Sequence, residues 1–250
     1  MNRRKFLGAS ALIGISTYLS PRTLLSNPVK KSKLKLGFIG TGLRGQGMMR
    51  LATYRNDVDI PVICDIDDGM INKALNVLKQ AGRPMPKIYN NGDEDFRNML
   101  DNEDMDGVFI ATPWEWHHPM SVAAMKAGKH VGTEVPAALT LAECWDLVNT
   151  SEKSGKFCMI MENVCYRRDV LAVLNMVRSG LFGELIHCQG GYQHDLRNVK
   201  FNDGLQPYGG GVEFGDKGYS ESKWRTNHSV NRNGDLYPTH GLGPVSTMLD

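Results

Sequence analysis

Residues 34–45 read LKLGFIGTGLRG. The first six form a short apolar run suited to a buried strand. They lead directly into Gly40-Thr41-Gly42-Leu43-Arg44-Gly45, a G-x-G-x-x-G, and a helical pattern carrying Met48, Met49 and Leu51 follows. Strand, glycine loop and helix in that order are the context in which this motif cradles the pyrophosphate of a dinucleotide. Gly40 permits a tight turn, and Gly42 lets the backbone approach the ligand. Gly45 lets the helix pack on the strand, whose helix N-terminus favours negative charge. Alone, the motif is a weak signal.

The sequence downstream strengthens it. Residues 57–64, DVDIPVIC, form a second strand ending at Asp65, 25 residues after Gly40. A carboxylate there accepts hydrogen bonds from adenosine ribose hydroxyls and repels a 2′-phosphate, which favours NAD over NADP. The structural alternative is that Asp65 caps the following helix, a task Asp67 or Asp68 could also perform. Helices then read over residues 71–81, 94–101, 119–127 and 139–154. Strands read over 87–89, 107–111, 129–134 and 156–162. This alternation specifies an α/β fold with a parallel, doubly wound sheet. Ligands of such sheets bind beyond the carboxyl ends of the strands. The informative residues are therefore Leu43, Arg44, Asp65, the 112–118 loop, Glu134, Val135, Pro136 and Asn163.

The N-terminus has another character. Arg3-Arg4 precede Phe6-Leu7 and an uncharged run to Pro21 that is too short and too polar to span a membrane. Residues 1–32 read as a twin-arginine signal peptide and linker. The eight basic residues of positions 1–35 have no acidic counterpart; without them, 21 basic residues face 27 acidic ones, a net charge of −6. The basic balance thus belongs to the leader, and nothing points to a nucleic-acid partner. Twin-arginine export moves folded proteins, so a protein loaded with NAD in the cytoplasm could reach the periplasm with its cofactor, and remain membrane-associated if the leader were retained. Five cysteines without a C-x-x-C pair give no disulfide framework, and four of them read as small hydrophobes in apolar runs. His117-His118 lack the spacing of metal ligands.

The fingerprint, Ala111-Thr112-Pro113, the segment from His130 to Glu134, and a helix over 169–180 followed by Gly183-Glu184-Leu185-Ile186 resemble the glucose–fructose oxidoreductase / inositol dehydrogenase-like family. That family usually has Glu-Lys-Pro where this chain has Glu134-Val135-Pro136, and an Asp four residues before its catalytic His, where Leu236 stands before His240. A narrower resemblance accounts for both departures. GTGLRGQG (40–47), TPWEWHHPM (112–120), GTEVPAA (132–138), ENVCYRR (162–168), GGYQHDLR (190–197) and DLYPTHGLGP (235–244) are together similar to glycoside hydrolase family 109, the NAD-dependent α-N-acetylgalactosaminidases.

The resemblance implies an NAD-binding Rossmann domain over residues 33–155. It also implies a substrate domain over 156–250, an α/β unit on an open, mostly antiparallel sheet that is incomplete at its C-terminus. It implies hydrolysis by transient oxidation at C3, elimination, water addition and re-reduction, rather than by two carboxylates. Tyr237 and His240 are the proton-transfer candidates. Tyr192, Arg225, Tyr237, Pro238, Thr239 and His240 are the substrate contacts. Gly40, Gly42, Leu43, Arg44, Gly45, Asp65, Trp114, Glu115, Trp116, His117, Glu134, Val135 and Asn163 are the cofactor contacts, with the two tryptophans in a loop at the cofactor edge. The expected partners are a glycan with terminal N-acetylgalactosamine and the twin-arginine translocation machinery; homo-oligomerisation is compatible with the sequence but not specified by it. A periplasmic sugar oxidoreductase is the alternative, against which Val135 counts, and a non-catalytic sugar- or NAD-binding protein is the second.

Overall fold

The computed structural model describes residues 33–194, 231–234 and 237–249. Apart from Lys33 these belong to one compact unit, Leu34–Asp250. The leader and Arg225 lie outside the described residues.

Among the described residues, seven strands alternate with helices. They are β1 (Leu34–Ile39), β2 (Val58–Asp59), β3 (Val62–Cys64), β4 (Lys87–Tyr89), β5 (Gly107–Ile110), β6 (His130–Thr133) and β7 (Cys158–Ile160). The helices are α1 (Leu43–Thr53), α2 (Asp68–Gln80), α3 (Asp95–Asn102), α4 (Trp114–Lys126), α5 (Leu141–Ser154), α6 (Arg168–Arg178) and α7 (Thr239–Leu249), with a 3₁₀ turn at Asn163–Tyr166. The spatial order is β4-β3-β1-β5-β6-β7, with β2 also on β1, and every pair is parallel. The chain runs outward from β1 to one edge, then returns to β5 and runs to the other. The switch point lies between β1 and β5, where Ile39 pairs with Ile110.

Side-chain alternation along the strands divides the core between the two faces. Leu36, Phe38 and Ile63 pack with Met49 of α1 and Ile71, Ala74 and Leu78 of α2. Ile39, Val62 and Val108 pack with Phe96 and Met99 of α3 and Ala124 and Met125 of α4. Helix ends follow local chemistry. Asp67 caps α2 by accepting from Gly69 N and Met70 N. Thr140 and Glu143 form a capping box on α5, which stops at Gly155 with φ +65°.

Several expectations are corrected. The second strand is broken at Ile60-Pro61, because proline has no N–H for the ladder. Trp114–His118 is not a loop but the opening of α4, which begins after Pro113. The sequence pattern starts this helix at residue 119; instead Pro119 sits inside the helix, where the carbonyl it leaves unbonded is that of exposed Glu115. No antiparallel sheet exists among the described residues. The segment 184–194 carries no strand, and Ile186 is 96% exposed, without the partner strand that extended backbone requires. Of the four cysteines expected in apolar runs, only Cys64 is buried; Cys144 is exposed. Among the described residues no helix is long and apolar enough to cross a membrane.

Candidate active site

The glycine loop is built as its sequence demands. Gly40 has φ +87°, and a Cβ there would lie 2.6 Å from Ala111 O. A Cβ on Gly45 would lie 2.0 Å from Gly40 O. Gly42 is the N-cap of α1 and supplies no side chain to its N–H groups, so these donors are left for an anion. Thr41 is fully buried, and both its N–H and its Oγ1 donate to Asp65 Oδ2, the hydroxyl at 3.0 Å. Asp65 Oδ1 accepts from Asp67 N at 3.0 Å. Asp67, not Asp65, caps α2. Asp65 therefore ties the second strand to the glycine loop.

Across the switch point, Glu134 follows β6 and is 7% exposed; its Oε1 accepts from Arg44 Nε at 2.6 Å. Val135 is buried, and its peptide bond to Pro136 is cis. His117 is 1% exposed, with Nδ1 2.7 Å from Pro136 O and Nε2 2.8 Å from Thr112 O. Burial pushes its pKa below the usual imidazole value, so the neutral ring donates to one of these carbonyls at a time. It thereby joins the segments that follow β5 and β6. Leu43, Glu115 and Asn163 are exposed along the same edge. These features fit a dinucleotide: close-approach glycines, uncapped helix donors and a carboxylate at the end of the second strand.

The second half of the site is aromatic. Tyr237, two residues before α7, lies 5.6 Å from the Trp114 ring, 5.7 Å from Tyr192 and 4.6 Å from His240, centroid to centroid. Tyr192 meets His240 edge-on at 4.6 Å, and its hydroxyl is 2.8 Å from His194 Nδ1. Close backbone approach makes this possible. A Cβ on Gly190 would lie 2.3 Å from Gly241 O, and one on Gly243 would lie 3.0 Å from Glu162 Cγ. Trp116 is turned elsewhere, edge-on to Phe96 at 6.3 Å in the core. Of the two tryptophans, the structure brings Trp114 alone to this cluster.

Glu162 was not singled out from the sequence. It ends the segment after β7, is 7% exposed, and its Oε1 lies 2.6 Å from His240 Nδ1 and accepts from Val164 N at 3.0 Å. In the sequence the strand reads to residue 162, and the position just past it is Asn163; β7 ends at Ile160, which leaves Glu162 beyond the strand. Two buried oxygens here, Glu162 Oε2 and Thr239 Oγ1, have no partner among the described residues. Buried polar atoms are ordinarily paired, so these two hold capacity for a ligand. Pro238 is half-buried beside them.

Residues 34–162 match the family described as "Oxidoreductase family, NAD-binding Rossmann fold", and residues 166–250 match "Glycosyl hydrolase 109, C-terminal domain". The chain belongs to the NAD-binding Rossmann oxidoreductase family. Within it, the second match and the relatives place the chain in glycosyl hydrolase family 109. A glycosyl hydrolase family 109 protein of Stenotrophomonas maltophilia (strain K279a) is 51% identical over 98% of this chain and 54% of its own length. A protein of Tannerella forsythia named alpha-N-acetylgalactosaminidase is 55% identical over 87% of this chain and 47% of its own length. The chain thus spans about half the length of the curated relatives it matches.

Among solved structures, the fold resembles the WlbA dehydrogenase of Chromobacterium violaceum in complex with NADH and UDP-GlcNAcA. The TM-score is 0.53 and the identity 22%, over 64% of this chain and 44% of that one. It also resembles scyllo-inositol dehydrogenase of Lactobacillus casei with NAD(H) and scyllo-inositol, with TM-score 0.54 and 20% identity over 61% and 43%. These likenesses concern the fold alone.

Proposed function

We propose that the protein is an exported, NAD-dependent glycosidase that releases terminal α-linked N-acetylgalactosamine. The single observation that carries this reading is the convergence of Tyr237, His240, Tyr192 and Trp114 beside the carboxyl ends of β5 and β7, with Glu162 on His240. The reading also divides the chain into a cofactor domain over 33–155 and a substrate domain over 156–250. Bound NAD supplies reversible oxidation at C3 of the sugar, which makes elimination and water addition at C1–C2 accessible and leaves the cofactor unchanged overall.

The chain's own residues hold the ring and move protons. Glu162 fixes His240 through Nδ1, leaving Nε2 as the nitrogen that exchanges a proton. The Tyr237 phenol stands against the same imidazole and is the second exchanging group. Trp114 and Tyr192 offer apolar faces to a sugar ring. Arg225 is assigned to sugar hydroxyls on its sequence alone. Val135 carries no proton, so the lysine-based oxidation of ordinary sugar dehydrogenases has no counterpart at that position. The twin-arginine leader accounts for delivery of a folded, cofactor-loaded protein to the periplasm.

The test is an aryl α-N-acetylgalactosaminide given to full-length protein without added NAD. Aryl release is expected, with deuterium at C2 of the substrate lost to solvent during turnover. Release that retains the C2 label refutes the elimination route. Accumulation of an oxidised sugar without aryl release would instead favour a sugar oxidoreductase. The leader is tested by fractionating cells that carry the original protein or its Arg3→Lys/Arg4→Lys variant: equal periplasmic protein from both refutes the twin-arginine route, and absence of the original protein from the periplasm refutes export.

A further inference from the structure

β1 and β6 are not neighbours: β5 lies between them. Parallel strands are spaced about 4.8 Å, so the ends of β1 and β6 stand about 10 Å apart. Arg44, in the first turn of α1, nevertheless reaches Glu134 beyond β6, with Nε 2.6 Å from Oε1. The pair therefore crosses the carboxyl end of β5 at the switch point. Its two ends differ. The Glu134 side chain is 9% exposed, while that of Arg44 is 49% exposed. The carboxylate end is anchored, and the guanidinium end can swing outward. The Glu134 contact uses one of five guanidinium donors, which leaves others for an anion.

A dinucleotide that extends from the glycine loop toward the segments following β5 and β6 has to pass this bridge. We propose that the Arg44–Glu134 pair is a strap across the cofactor cleft that slows release of the dinucleotide. The proposal rests on the reading that NAD is kept through turnover, and it identifies the device that keeps it. Opening the strap separates an anchored, largely desolvated carboxylate from its cation, which is costlier than parting two exposed charges. The guanidinium end is in contact with solvent, so opening should be easier at high ionic strength.

The experiment uses full-length protein saturated with NADH, then passed through a desalting column, with release followed by the loss of bound-nicotinamide fluorescence into an enzymatic NADH trap. Arg44→Met keeps the apolar stem and removes the guanidinium, and Glu134→Gln keeps the shape and removes the charge. Each variant is expected to release NADH roughly tenfold faster, a change of about 1.4 kcal/mol in the exit barrier. The double variant should be no faster than either single one, because one interaction is lost in all three. Added salt should speed release from the original protein and leave Arg44→Met unchanged. Thermal unfolding of each variant verifies that the fold is intact.

Release from both single variants at the original rate overturns the strap. So does a double variant whose effect is the product of the two singles. Slower loading with unchanged release also overturns it, since the pair would then govern entry. A protein that is isolated without NAD yet binds added NADH defeats the retention reading, while the release measurements still decide the strap.

Discussion

Gly45 and Gly47 lie two residues apart in α1, yet a methyl group would meet different surroundings at each. A Cβ on Gly45 would stand 2.0 Å from Gly40 O and 3.0 Å from Gly40 C. Carbon–oxygen contacts of this kind close to about 3.3 Å, so Gly45→Ala requires a separation of roughly 1 Å. Gly40 cannot supply it: its φ of +87° is already fixed by the turn, and it sits so close to Ala111 that a Cβ on it would lie 2.6 Å from Ala111 O. The helix must therefore move away from the loop. Overpacking of this kind costs about 1–3 kcal/mol. A displacement of about 1 Å at a positioned binding group costs on the order of 10²-fold. Gly45→Ala is expected to lower the melting temperature and weaken NADH binding by about that factor. Gly47 is exposed and has nothing within 4 Å. Alanine there removes the helix penalty of glycine, about 0.8–1.0 kcal/mol. The melting temperature should rise by about 2–4 °C. Circular dichroism melts and NADH fluorescence titrations of both variants decide the matter. If Gly45→Ala binds NADH within about threefold of the original, a loss below about 0.7 kcal/mol, the account of the loop is wrong.

Glu162→Gln keeps the shape of the group on His240 and removes its charge; kcat on the aryl substrate should fall by about 10²-fold or more with little change in KM, and a drop of only a few-fold removes Glu162 from the proposed machinery. Asp95 accepts from Asn91 N at 2.9 Å and Asn98 Nδ2 at 2.8 Å, and these bonds hold its pKa below the usual carboxylate value. Its stabilising contribution is present above the unfolded-state value of about 3.9 and is lost as pH falls through the lower folded value. Asp95→Asn should cost about 1–2 kcal/mol at neutral pH in urea unfolding, and the difference should close as pH drops below about 4. Burial pushes the Cys64 thiol up to about 12, so its thiolate fraction at pH 8 is about 10⁻⁴, whereas Cys144 is exposed. Brief alkylation with iodoacetamide should label Cys144 and spare Cys64 until the protein unfolds, as read by peptide mass mapping.

The parallel sheet was legible in the sequence because each strand is a short apolar run bounded by turn residues, and each helix carries apolar positions at helical spacing. The glycine loop was legible for a stronger reason: only glycine fits at Gly40 and Gly45, so the residue type itself records the contact. The start of α4 was not legible. Trp-Glu-Trp-His-His before a proline carries no periodicity that separates loop from helix, and tertiary burial of Trp114 and His117 decides the outcome. Asp65 is similar: its type and place were readable, but its bonds to Thr41 depend on two segments meeting. Glu162 was missed because nothing local distinguishes it. Its partner is 78 residues away, and spacing along the chain carries no signal of that pairing.

That long-range pairing bears on how the proposed chemistry depends on assembly. In the wider family resemblance, a lysine after the β6 position would carry a proton from within the Rossmann unit. Here that position is buried Val135, and the titratable ring comes from α7. His240 acquires its partner only when α7 lies against the segment after β7. Gly190, Gly241 and Gly243 permit that approach at the very places where a side chain would intervene. Catalytic orientation and docking of α7 are thus one event rather than two. A substitution that thickens this contact without touching an aromatic residue, such as Gly243→Ala, should therefore lower kcat while NADH binding at the glycine loop persists. Parallel loss of NADH binding and turnover would show that the two halves of the site are not separable in this way.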